Sequence, residues 1–226
     1  MAITTLDGLV AGMLAPTPML KVGTAGEAVG IHHSHFYATG NPGAAAAPTP
    51  GLAGAALTTY AGQLPWTNPV TGNSYIARFC ASASVAAGLW LMDRLWHNSG
   101  IVVTTTTAQT LNSVAWPARS NDGTVNGLGV MVAIEVRTAT TNAAAITNTT
   151  MSYTNQAGTA GRVATMASFP ATAVIGTFVP FQLAAGDTGV RSIQSITLGT
   201  SYVAGAIHLV AYRQLVQLGC TIANIP

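Results

Sequence analysis

Residues 190–218, VRSIQSITLGTSYVAGAIHLVAYRQLVQL, constrain the fold more than any other part of the chain. Two strand-like runs flank a turn-rich link containing Gly199, Thr200, Ser201 and Gly205. In the second run Ile207, Leu209 and Ala211 point one way, and Ala206, His208, Val210 and Tyr212 point the other, so neither face is clearly polar. A strand of that kind is covered on both sides, which predicts a central strand in a sandwich of two sheets.

Other runs support an all-β reading. Residues 75–81 and 90–96 alternate in polarity, and 101–107 is β-branched throughout. Val130, Val132, Ile134 and Val136 form the cleanest apolar face, with Glu135 and Arg137 expected opposite it as a solvated pair. A hairpin is expected from 151–155, a Gly-containing loop, and 162–166. Residues 177–183 form a further strand in which Pro180 points to an edge or a bulge. The spacing predicts an all-β, jelly-roll-like β sandwich over 71–226.

Residues 1–70 read differently. Thr5 is placed to cap a short helix whose Leu6, Leu9, Val10 and Met13 share a face, and Pro16 stops it. Up to Pro69 the chain then fills with Pro and Gly and loses periodicity, which predicts a long, mostly irregular N-terminal arm or a set of ordered loops. Ile31, Phe36, Tyr37, Leu57, Tyr60 and Trp66 are more apolar residues than a free linker carries, so this segment is expected to order on a partner.

Composition narrows the function classes. Only 6% of residues are charged, against roughly a quarter in ordinary soluble domains. A surface so poor in mixed charge resists self-association weakly, and this points to a permanent assembly. The eight Lys and Arg residues never cluster, so no nucleic-acid partner is expected. No run reaches the length of a membrane-spanning helix, no membrane partner is expected, and the N-terminus does not fit a secretory leader. Six carboxylates supply no pair for acid–base work, no nucleophile motif or phosphate loop is present, and neither an enzyme nor a cofactor is expected.

Three groups of residues stand out. His32, His33 and His35 could offer imidazoles to a metal, but as histidines of an arm they are read as structural, and no metal is expected. Cys80 and Cys220 could pair, although two isolated buried thiols are the commoner arrangement. Trp90 and Trp96 are expected in the core, while Trp66 and Trp116 lie beside prolines in loops and are candidate interface anchors with Leu6, Leu9, Met13, Phe36 and Tyr37.

The irregular N-terminal arm, the run Tyr153-Thr154-Asn155-Gln156-Ala157-Gly158 leading to Gly161-Arg162, and FVPFQLAAGDTGVRSIQSITL leading to GAIHLVAYRQL together resemble the jelly-roll structural proteins of tailed bacteriophage virions. The resemblance covers about the last third of the chain in detail. It implies a decoration or cement protein made in the host cytoplasm and incorporated in the virion. Such a protein associates in symmetric copies, often threes, and binds the major capsid protein or other virion proteins. A tail, neck or receptor-binding module that recognises a protein or glycan is the alternative.

Overall fold

The computed structural model describes residues 4–66 and 74–220. In chain order the elements are a helix α1 (Leu6–Ala11), strands β1 (Leu20–Lys21) and β2 (His32–His33), a 3-10 turn (His35–Tyr37), and strands β3 (Gly40–Asn41), β4 (Ala55–Ala56), β5 (Ala87–His97), β6 (Gln109–Thr110), β7 (Val130–Thr138), β8 (Thr150–Asn155), β9 (Arg162–Thr165), β10 (Thr177–Pro180), β11 (Val190–Thr197) and β12 (Ala206–Cys220). The fold is an all-β sandwich, and every strand pairing is antiparallel.

The eight strands β5 to β12 divide between two sheets in the order β10-β7-β12-β5 and β6-β11-β8-β9. Numbered from β5 as first, these orders read 6-3-8-1 and 2-7-4-5. Successive strands cross from one sheet to the other except along the β8–β9 hairpin, which is the doubly wound Greek-key path of a jelly roll. The larger sheet gains β2 beside β10 and β4 beside β5. Both additions come from the N-terminal segment.

Alternation decides what fills the space between the sheets. Val130, Val132, Ile134 and Val136 of β7 point inward with Ile207, Leu209 and Ala211 of β12 and with Leu95 and Trp96 of β5. Met151 and Tyr153 of β8 and Ile193 and Ile196 of β11 meet them from the other sheet. Each such side chain stabilises the sandwich by about 1.5–3 kcal/mol relative to exposure. Between strands the loops pass very close: a Cβ on Gly127 would sit 2.0 Å from the Val190 carbonyl oxygen. Glycine is required there to let the two backbones meet.

The strand expected at 190–218 divides as read, into β11 in one sheet and β12 in the other, and β12 lies between β7 and β5 in the larger sheet. The β8–β9 hairpin forms with Tyr153 opposite Arg162, and β10 carries Pro180 beyond the two positions that β2 covers. Thr5 caps α1 through its hydroxyl, which accepts from the Gly8 N–H at 3.0 Å.

Three expectations need correction, and that for 1–70 is made finer. Residues 75–81 form no strand. Residues 101–107 are turns rather than an extended run, pinned at Val102 by two hydrogen bonds to the Gln109 amide. Glu135 and Arg137 are not a solvated pair: Glu135 is fully buried and pairs with Arg94. The stretch expected at 1–70 as an arm or a set of ordered loops is irregular as read: β2 and β4 join the larger sheet, β3 pairs with β1 in a two-stranded sheet, and residues 4–14 bury no side chain.

Candidate functional site

Two surfaces compete as the functional site, and both belong to the N-terminal segment. The first lies under it. Ser34 N–H donates to the Gly176 carbonyl at 2.7 Å, which seats the 3-10 turn on the outer face of the larger sheet. Farther along, the Trp96 indole N–H donates to the Ala53 carbonyl at 3.1 Å, Asn98 Nδ2 donates to the Leu52 carbonyl, and Arg119 Nη2 donates to the Leu57 carbonyl at 2.8 Å. Arg119 also grips Asp93, with Nε 2.9 Å from Oδ2, and Asp93 is shared with Arg213. The segment is thereby tied to both β5 and the loop before β7.

Beneath this cover the outward face of β5, β7 and β12 carries a polar group beside an apolar cluster of Ala133, Phe178, Val210 and Tyr212. Arg94 Nη1 lies 2.9 Å from Glu135 Oε1 and 2.8 Å from Oε2, and Arg94 Nη2 is 3.3 Å from His97 Nδ1. Strand register sets Glu135 directly opposite His208. The Phe36 ring covers the Arg94 guanidinium at 4.3 Å, Tyr37 lies beside Arg137 at 5.1 Å, and Tyr60 meets His97 edge-on. Cation–π contact of this kind compensates a guanidinium for lost water.

Burial sets the protonation states. Loss of water, reinforced by the neighbouring Arg94 and then by His208, lowers His97 to about 3. Burial likewise lowers His208 to about 4, against the opposing pull of Glu135. Both rings are neutral at physiological pH, and Tyr37 is pushed well above its ordinary value by burial and by Glu135. A cavity of about 110 Å³ opens beside the pair, lined by Ser34, Phe36, Met92, Arg94, Glu135, Phe178, Val210 and Tyr212. Its remaining walls are apolar. The arrangement holds one carboxylate, paired and away from water, and can bind the N-terminal segment to the sheet.

The second surface is the leading part of the same segment. Leu6 is 75% exposed, Leu14 68% and Leu20 70%, and Leu9, Val10, Met13, Met19 and Val22 are exposed with them. Helix α1 buries none of its residues. Its apolar stripe is exposed among the described residues, although helices this short are marginal without packing.

The candidate anchors therefore separate. Leu6, Leu9 and Met13 project into solvent, and Trp66 is 45% exposed. Phe36 and Tyr37 are half-buried and engaged within the subunit. Trp116 is 2% exposed and packs edge-on against Trp96 in the main core, so it cannot serve as an external anchor. Of the tryptophans expected inside, Trp96 is fully buried, whereas Trp90 sits half-buried on the part of β5 that runs beyond the sandwich.

The three histidines do not converge. His32 stacks on Trp90 with ring centroids 4.1 Å apart, His33 Nε2 accepts from the Ala28 N–H, and His35 Nε2 lies 3.4 Å from Glu27 Oε1. Among the described residues no three His, Cys, Asp or Glu side chains are grouped to hold a metal ion. No described helix is long and apolar enough to cross a membrane.

Sequence reasoning missed the Arg94, His97, Glu135 and His208 cluster. One sign was available. In a chain with six acidic residues, a carboxylate between Ile134 and Val136 marks an outer face that needs a cation and a cover. No protein-family model, no curated protein and no solved structure matches the chain.

Proposed function

We propose that the protein is a structural subunit of a tailed-phage virion that binds and stabilises a capsid lattice as a decoration protein. The observation that carries this reading is the apolar stripe of residues 4–22, exposed in the single subunit and preceding a segment that is fixed to the sheet. The jelly-roll order of the strands and the 6% charge content support it. Leu6, Leu9, Val10 and Met13 dock on a neighbouring protein, and each contributes at most about 1.5–3 kcal/mol when fully covered, less the cost of ordering the segment. One such contact is weak. Repetition over symmetric copies of a homo-oligomer, in threes as the resemblance implies, raises the total and makes shell disassembly costlier.

The test compares the full chain with a variant lacking residues 1–22, by co-sedimentation with capsids that lack this protein. The full chain is expected to co-sediment and the shortened chain to remain soluble and folded but unbound. Equal binding by both would remove the proposed docking role, and density at a tail tip in cryo-EM images of the particle would favour the receptor-binding alternative. Light scattering of the full chain measures the oligomeric state separately.

A further inference from the structure

The two cysteines lie far apart in sequence, and Cys220 touches the residue next to Cys80 in the fold. Cys220 ends β12, and its partner across the ladder is Ala87, the first residue of β5. Six residues, 81–86, lead into Ala87. They double back along the strands, so that Cys220 Sγ lies 3.7 Å from the Ala81 carbonyl oxygen. Cys80 precedes Ala81 in the chain, its Cα about 3.8 Å from the Ala81 Cα. Both thiols are free, with Cys80 exposed and Cys220 buried. The Arg78 Nε–H donates to Cys80 Sγ at 2.9 Å, placing a cation beside the sulfur.

A disulfide requires Cα atoms about 4.4–6.8 Å apart. Residues 74–86 before β5 have no strand ladder of their own to break in meeting that distance. We propose that Cys80 and Cys220 are a disulfide-forming pair that staples residues 74–86 to the end of β12, closed by exchange with a low-molecular-weight disulfide such as oxidised glutathione. The exposed Cys80, as thiolate, attacks one sulfur of the small disulfide and expels one thiolate, leaving a mixed disulfide on Cys80. Cys220 gives its proton to solvent and attacks the Cys80 sulfur, expelling the second thiolate. Two protein thiols are oxidised and one small disulfide is reduced to two thiols. The Arg78 guanidinium stays beside the attacking sulfur in the first step.

The staple is independent of any capsid partner. Its test is to incubate the reduced full-length protein with oxidised glutathione, count free thiols and map peptides without reduction. The expected result is loss of both thiols, no retained glutathione, and a Cys80–Cys220 cross-linked peptide that reductant releases. C220S is expected to stop at a glutathione adduct on Cys80. A wild-type protein that also stops at that adduct, that keeps Cys80 free, or that cross-links only between chains would overturn the proposal.

Discussion

The two faces of β7 and β12 are built from alternate residues of the same strands and are sealed by different means. Val132, Ile134, Ile207 and Leu209 face the second sheet and need only apolar volume. Glu135, Arg137 and His208 face the other way, where Phe36, Tyr37 and Tyr60, from much earlier in the chain, lie against Arg94, Arg137 and His97. The inner face is insensitive to which apolar side chains fill it, within limits of volume. On the outer face each partner is specific, because a buried charge without its counter-ion is far costlier than a poorly fitted methyl group.

Mutations can break this contrast in order of size. Trp96→Ala on the inner face removes the largest fully buried side chain, its contact with Trp116 and its hydrogen bond to Ala53. A loss of about 4 kcal/mol in urea unfolding is expected. On the outer face Glu135→Leu strands the Arg94 guanidinium and is expected to cost about 3 kcal/mol. The double variant R94M/E135L should recover most of that loss. Recovery would show that the pair specifies where the N-terminal segment sits without adding net stability, whereas no recovery would make it a net stabiliser.

Acid provides a third comparison. His97 and His208 have folded values lowered to about 3 and about 4, below an unfolded value of about 6.5. The unfolded chain therefore binds more protons below pH 6.5, and the stability present above that pH falls as pH decreases toward 4. Between pH 7 and pH 5 the two rings together should remove about 2–4 kcal/mol. Equilibrium unfolding across that range checks the slope, and His208→Asn should flatten about half of it. The smallest effect is expected from L6S/L9S, which should change stability by less than about 0.5 kcal/mol because both side chains are exposed. The same variant should lose capsid co-sedimentation, so stability and binding separate in one protein.

The contrast also explains what could be read from the sequence. The inner face was legible because its rule is local: alternation at Val130, Val132, Ile134 and Val136 needs no knowledge of the partner. The β8–β9 hairpin and the Thr5 cap were legible for the same reason. Misreadings arose where a distant segment sets the environment. Glu135 and Arg137 resemble a solvated pair unless Arg94, Phe36 and Tyr37 are known to lie over them. Trp116 looks like a loop anchor beside Pro117 until Trp96 is placed against it. Residues 75–81 have the alternation of a strand, but a strand exists only where a neighbouring ladder accepts it. The exposed apolar stripe on α1 was visible in the spacing of Leu6, Leu9, Val10 and Met13, and the structure leaves those side chains uncovered.

The position of β12 bears on how the chain is made. It fills the gap between β7 and β5, pairing Val210 with both Ala133 and His97. The strand that joins the sheet is thus synthesised after both of its neighbours. Until residue 220 clears the exit tunnel, β5 and β7 present facing edges with nothing between them. A chain that lacks β12 cannot complete the sandwich, and the high sequence separation of these pairings makes closure slow. Closure therefore waits for β12, and the open slot is a place that a chaperone or a stray strand can occupy before it arrives.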